Sequence, residues 1–195
     1  MRRFLQRFFR KPVISLTNRY SSRPEKVRVH TALTELYAKI QKKPGKKGPY
    51  IEFKEDDKFV ILSDQHKGSR DHADDFALAE KNYLAALDFY NQNNYLYINL
   101  GDSEELWENL LESIIKCNKE AFRLEKEFIK RKSYIKIFGN HDLYWDNDPL
   151  AAFNLHRIYG EKVKIYEGAL LKTSVNGTEL NFFLTHGHQG DLQSD

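Results

Sequence analysis

Apolar and polar residues follow two different spacings along this chain, and the change from one to the other predicts strands and helices in turn. Short apolar runs, each typical of a strand buried on both faces, lie at 58–63, 95–100, 134–138 and 163–166. Apolar residues at three- and four-residue steps predict helices at 25–40, 73–92, 104–130 and 149–158. Two final runs, 168–175 and 179–185, flank Asn176-Gly177, a strong hairpin signal. The alternation predicts a layered α/β domain in which a hairpin extends a sheet.

The first residues form a short basic amphipathic pattern. Phe4, Leu5, Phe8 and Phe9 fall on one helical face, and residues 1–24 carry seven Lys and Arg with no Asp or Glu. Three interpretations stay open: a helix at 2–11 on an anionic membrane surface, an Arg-rich transit peptide, and a tail whose aromatic side chains dock on the domain. The sustained apolar run of a secretory signal is missing, so we expect a cytoplasmic protein, peripheral to the membrane.

Charge divides the 195 residues into two regions. Residues 1–58 hold 16 Lys and Arg against 6 Asp and Glu, whereas 59–195 hold 15 against 22, for a net charge of +3. We therefore expect a basic N-terminal segment, 1–57, with a polybasic linker at 42–49, ahead of a domain at 58–195. The linker lacks neighbouring residues suited to base readout, which argues against nucleic-acid binding.

Composition narrows the class of protein further. Hydrophobic residues make up 41% and charged residues 30%, as in ordinary globular domains. The sequence has no run of about 18 apolar residues, the length that a membrane-spanning helix needs. The single cysteine, Cys117, excludes a disulfide framework and a cysteine-built zinc site.

Polar motifs follow the predicted strands at the point where each strand ends. In chain order they are Asp64-Gln65-His66, Gly101-Asp102, Gly139-Asn140-His141-Asp142 and His186-Gly187-His188. The carboxyl ends of strands in an open α/β sheet share one edge, so we expect these turns to converge. Their carboxylate, amide and imidazole donors suit Mn, Fe, Zn or Mg, and Asp102 is a candidate bridge between two ions about 3.5–4 Å apart. Bound cations would also let an acidic domain accept a phosphate group.

This ordered set resembles the motifs of the calcineurin-like metallophosphoesterase superfamily over residues 58–195. The resemblance implies a four-layer α/β/β/α sandwich whose dinuclear site hydrolyses phosphoester or pyrophosphate bonds with a bridging hydroxide. Two divalent ions are expected, Mn first and Fe, Zn or Mg as alternatives. The implied ligands are Asp64 and His66 on one ion, Asn140 and His186 on the other, and Asp102 between them.

The resemblance also implies catalytic roles and a substrate class. His141 would protonate the leaving oxygen, and Asp142 would hold the His141 ring in position. Residues 101–107 are similar to a branch that cleaves UDP-diacylglucosamine, so we expect a phosphorylated small molecule or a nucleotide- or lipid-linked substrate. Trp107 in that stretch is interpreted as a helix-packing residue.

Two departures from the family pattern affect this interpretation. The acid expected at the third position after Gly101-Asp102 is Glu105, which suits a supporting role. The final Gly-His-x-His motif of the family does not follow His186, so we expect that 58–195 is the N-terminal part of the domain, with the sandwich incomplete at its C-terminus. The alternative is a catalytically degenerate member of the fold that serves as a scaffold for protein binding.

Overall fold

The computed structural model describes residues 2–20, 25–71 and 74–190. Its helices are α1 Arg2–Tyr20, α2 Lys26–Lys42, α3 Phe76–Gln92, α4 Leu111–Cys117, α5 Lys119–Lys130, α6 Tyr144–Asn147 and α7 Ala151–Tyr159. Its strands are β1 Tyr50–Glu52, β2 Phe59–Leu62, β3 Leu96–Leu100, β4 Tyr134–Ile137, β5 Ile165–Tyr166, β6 Gly168–Val175 and β7 Thr178–Thr185. Within the described ranges, none of the helices has the length and apolarity to cross a bilayer. The first residue predicted for the 73–92 helix lies outside the described residues.

Two sheets lie at the centre of the fold. The first is parallel and has the order β2-β3-β4-β5, and in register Val60 faces Tyr97 and Ile98 faces Ile135. The second has the order β1-β6-β7, with β1 parallel and β7 antiparallel to β6. Because the strands of the first sheet all run in one direction, their carboxyl ends lie along one edge. The predicted hairpin at Asn176-Gly177 is confirmed.

Packing of apolar side chains produces four layers. Ile98 and Ile137 of the parallel sheet meet Leu171 of the second sheet in the central core. Leu87 of α3 and Phe128 of α5 pack on the other face of the parallel sheet. Helix α2 covers the outer face of the second sheet, where Leu36 and Ile40 pack against Leu170. The predicted α/β/β/α sandwich is therefore confirmed.

The region predicted as one helix at 104–130 is two helices preceded by a loop. Asn118 separates α4 from α5, and its buried side-chain amide donates to the carbonyl oxygens of Gly68 at 2.7 Å and Ile114 at 2.9 Å. A side chain that bonds to the backbone in this way offers an alternative to the helical ladder. The apolar spacing from Trp107 onward was misleading because residues 101–110 form a loop at the sheet edge rather than a first helical turn.

Part of the N-terminal segment 1–57 lies within the layers. Leu36 and Ile40 of α2 are buried against Leu170, and strand β1 pairs with β6. The basic turn that was expected to be a linker connects these two elements and accepts, at the Lys47 carbonyl, the backbone N–H of Glu167 at 2.8 Å. The apolar face of α2 places this part of the segment against the second sheet. The count of charged residues had instead drawn attention to the lysines of the turn.

Candidate metal centre

The turns after β2 and β3 run side by side beyond the ends of their strands. The backbone N–H of Asp64 donates to the Gly101 carbonyl at 3.1 Å, and that of His66 donates to the Asp102 carbonyl at 2.9 Å. These bonds extend the parallel ladder into the loops. The first two sequence motifs are therefore brought together by backbone pairing alone.

Glycines allow the remaining turns to approach closely. A Cβ on Gly101, whose φ is +85°, would lie 2.6 Å from Cδ2 of His186. A Cβ on Gly139 would lie 2.2 Å from an Asp102 carboxylate oxygen. A side chain at either position would separate the third and fourth motifs from Asp102, so these glycines determine how tightly the site closes.

Two groups of metal-ligand atoms share the carboxylate of Asp102. In the group of Asp64, Asp102 and His186, and in the group of His66, Asp102 and His141, the ligand atoms lie within 4.8 Å of one another. Nε2 of His186 is 3.3 Å from Asp102 Oδ2 and 3.6 Å from Asp64 Oδ1, whereas Nε2 of His66 is 3.7 Å from Asp102 Oδ2. Asp102 is thus the residue that the two groups have in common.

The grouping differs in detail from the one that the resemblance implied. Asp64 lies with His186, although its Oδ1 is also 3.9 Å from Nε2 of His66. His141, expected only as an acid, contributes a ring nitrogen to the group with His66 and Asp102. Asn140 is half-buried in the turn between Gly139 and His141.

Electrostatics at the shared carboxylate fit a bound cation. Burial would raise the pKa of Asp102, but contact with His186 and the N–H of His141 lower it. Burial would lower the pKa of His186, but contact with Asp102 and the charge of Asp64 raise it. The donors are carboxylate and imidazole groups, which are suitable ligands for Mn, Fe or Zn. The residues present therefore fit divalent metal ions.

Asp142, which was expected to hold the His141 ring in position, makes its described hydrogen bonds with backbone groups. Its carboxylate is fully buried and accepts backbone N–H groups, from Gly139 at 2.5 Å, Ser103 at 2.9 Å and Asp102 at 3.3 Å. Burial raises the pKa of Asp142, although the nearby positive charge of Lys136 acts to lower it. Asp142 therefore joins the second and third turns through their backbones, instead of orienting the imidazole of its neighbour.

Glu105 is the carboxylate that contacts the His141 ring. Its Oε2 lies 2.7 Å from Nδ1 of His141 and 2.8 Å from Nδ1 of His66. A carboxylate on Nδ1 fixes the imidazole so that Nε2 is directed to its partner. One glutamate thus orients both a ligand candidate and the acid candidate, and its sequence signal was the acid at the third position after Gly101-Asp102.

Trp107 is part of the site and not a helix-packing residue. It lies in the loop after β3, is 56% exposed, and stacks on the His141 ring with centroids 3.9 Å apart. The indole covers one face of the imidazole. The spacing of Trp107 from other apolar residues suggested a helix and concealed this contact.

A network of fully buried ion pairs lies next to the turns that carry the candidate metal ligands. Lys67 Nζ lies 2.7 Å from Glu125 and 3.2 Å from Glu104, and Lys136 Nζ lies 2.8 Å from Glu104. Burial would raise the pKa of Glu104, but the charges of Lys136 and Lys67 lower it to about 2. Lys67 follows His66 directly, so the network anchors a ligand turn. Its one sequence signal was a charged residue, Lys136, inside a buried strand.

Comparison with known families agrees with this arrangement. A family model described as calcineurin-like phosphoesterase matches residues 57–194. The chain belongs to the calcineurin-like phosphoesterase family. Searches of curated proteins and of solved structures gave no significant match. Membership of this family supports a hydrolase of the phosphoester type that uses divalent metal ions.

Proposed function

We propose that this phosphoesterase domain hydrolyses phosphoester or pyrophosphate bonds at a dinuclear metal site, with Mn²⁺ as the expected metal. The observation that carries the proposal is the Asp102 carboxylate, which belongs to both groups of ligand atoms. Sites with two metals use one such bridging position. The shared carboxylate therefore supports a particular arrangement of metal ligands, in addition to the general class of phosphoester hydrolase.

The ligand residues have distinct tasks in this proposal. Asp64 and His186 would hold one ion and His66 the other, and Asp102 would be shared between them. The amide of Asn140 would be a further ligand from the third turn. Bound divalent ions would polarise the phosphoryl oxygens and lower the pKa of a water molecule that serves as nucleophile.

His141 is proposed as the acid that protonates the leaving oxygen. Glu105 lies against Nδ1 of His141 at 2.8 Å, so Nε2 is the ring nitrogen left to donate. Trp107 covers one ring face and restricts rotation of the imidazole. The ring nitrogen that faces His66 and Asp102 makes a ligand role the competing assignment, and metal content distinguishes the two.

A cavity of about 350 Å³ beside His141 supports a small phosphorylated group as substrate. Its walls include Glu105 and Glu108, as well as Asp74 and Asp75. These carboxylates would repel a phosphate unless cations neutralised the site, so metal ions are needed for binding as well as for chemistry.

The test uses bis-p-nitrophenyl phosphate with Mn²⁺ as the added metal. We expect turnover that a chelator abolishes, and Asp102→Asn should remove both turnover and bound metal because both groups lose a ligand. His141→Asn should lower turnover by roughly 10²- to 10⁴-fold with metal content retained. His156→Asn, at an exposed position of α7, is the matched control and should have no effect.

Three results would contradict parts of the proposal. Equal rates with and without chelator would exclude the two-metal mechanism. Loss of metal in His141→Asn would make His141 a ligand. Folded protein that binds no Mn²⁺ and turns over no phosphodiester or pyrophosphate substrate would favour the degenerate scaffold instead.

A further inference from the structure

Helix α1 carries an apolar face that the described part of the fold leaves exposed. Leu5, Phe9 and Leu16 are separated by four and seven residues, a spacing that places them on one face of a helix. They are 44%, 51% and 56% exposed. Every side chain of α1 that the structure describes is exposed. The interpretation in which the aromatic residues dock on the domain is therefore not met in the described part of the helix.

The opposite face of α1 is basic. Helical spacing places Arg10 and Lys11 there together with the positions of Arg3 and Arg7, and both described side chains are exposed. Residues 1–24 contain no acidic residue that would neutralise them. The helix thus has an apolar face on one side and, on the other, a basic face whose positive charge residues 1–24 do not compensate.

We propose that α1 is a docking helix for an anionic phospholipid bilayer. Apolar residues on one face and arginine and lysine on the other are the composition of a helix that lies in the membrane interface. Anionic lipid headgroups complement the basic face, whereas a purely apolar protein partner would leave those charges without opposite charges. The helix does not have the apolarity to span the bilayer.

Docking by α1 would hold the phosphoesterase domain close to the membrane. Five residues, 21–25, separate α1 from α2, and α2 is packed on the second sheet through Leu36 and Ile40. A short connection of this kind limits how far the domain can move from a bound helix. The proposal concerns binding and does not rest on the proposed hydrolase reaction.

The experiment is co-sedimentation of the full chain with vesicles of phosphatidylcholine alone and of phosphatidylcholine with phosphatidylglycerol. We expect binding to the anionic vesicles, and weaker binding in high salt because screening shortens the reach of the charges. Arg10→Gln with Lys11→Gln should weaken binding by roughly 10- to 30-fold. Equal binding to both vesicle types would overturn the electrostatic half of the proposal.

A matched pair of variants tests the apolar face. Leu16 lies on the apolar face and is 56% exposed, whereas Ile14 lies on the basic face and is 49% exposed. Leu16→Ser should weaken binding by about tenfold or more, since a buried leucine contributes that much, while Ile14→Ser should have little effect. Equal effects of both variants would overturn the orientation of the helix.

Sedimentation without vesicles examines the competing occupant, a second copy of this chain. We expect a monomer whose mass is the same in the parent protein and in Leu16→Ser. A dimer that Leu16→Ser dissociates would overturn the proposal, because the apolar face would then be a protein interface. The side chains of Leu16 and Ile14 are both exposed, so the melting temperature should be the same in all variants. A change in binding can then be assigned to the altered surface and not to unfolding.

Discussion

The indole ring of Trp107 stacks on the imidazole of His141, with 3.9 Å between ring centroids and 25° between ring planes. The two residues lie on different turns, so this contact couples the loop after β3 to the loop after β4. With Glu105 on Nδ1, the imidazole is restrained at one edge and on one face. The orientation of the proposed acid therefore depends on a loop that precedes it by more than thirty residues.

Truncation of Trp107 tests this coupling. Trp107→Leu should lower turnover of bis-p-nitrophenyl phosphate by about tenfold, because a loosely held acid spends less time in a productive orientation. Trp107→Phe should recover most of the rate, since it keeps an aromatic face. Phe153→Leu, at an exposed position of α7, is the control. Unchanged turnover in Trp107→Leu would show that the stacking does not orient His141.

Glu105→Gln should impair metal binding and turnover together. The variant loses the negative charge that supports Nδ1 of both His66 and His141, and removal of such a supporting group commonly weakens metal sites by 10- to 100-fold. Isothermal titration with Mn²⁺ and steady-state turnover are the measurements. Glu108 lines the same cavity without these imidazole contacts, and Glu108→Gln serves as the control for Mn²⁺ affinity. An unchanged Mn²⁺ affinity would contradict the role assigned at His66.

Lys67→Met should reduce the free energy of unfolding by about 3–5 kcal/mol, because Glu104 and Glu125 would be left buried with less positive charge. Lys39→Met removes an exposed ion pair with Glu35 and should change the same quantity by less than about 1 kcal/mol. Urea denaturation followed by circular dichroism measures both. Similar small effects would mean that the network contributes little to the fold.

Helix α2 should be necessary for folding although it precedes the region that matches the family model. Ile40→Ala should lower the free energy of unfolding by about 2–5 kcal/mol, since Ile40 is fully buried against the second sheet. Val27→Ala, on the same helix at 71% exposure, should have an effect near zero. Deletion of residues 2–20 should leave the melting temperature unchanged. A stable protein after deletion of 2–42 would show that the domain begins later.

The motifs after β2, β3 and β4 could be predicted to meet because a parallel sheet brings its carboxyl ends to one edge whatever the loops do. Asp64 and Asp102 lie together at that edge, whereas His186 reaches them from the end of β7 in the second sheet. The partner of His141 could not be predicted in the same way, since it depends on the path of residues 101–110. Helical spacing gave the wrong path, and Glu105 was therefore assigned no definite contact.

The packing of the N-terminal segment could not be predicted for a different reason. Charge counting marked 1–57 as a basic segment but did not show that Leu36 and Ile40 of α2 pack on the second sheet. The buried pairs of Lys67 and Lys136 show the same limit, because their partners are remote in sequence. A pattern of single residues indicates which positions are charged but not which charges meet in the folded chain.

Three of the candidate metal ligands have left-handed backbone angles without being glycine: φ is 56° at Asp64, 50° at His66 and 50° at Asp102. Such angles cost a non-glycine residue roughly 1 kcal/mol or more. Glycine at Asp64 would relieve that cost and would remove a ligand in the same step. Directed evolution of this chain for heat tolerance alone would therefore be drawn toward variants that have lost the metal. Any thermostability screen has to be paired with a screen for metal-dependent turnover.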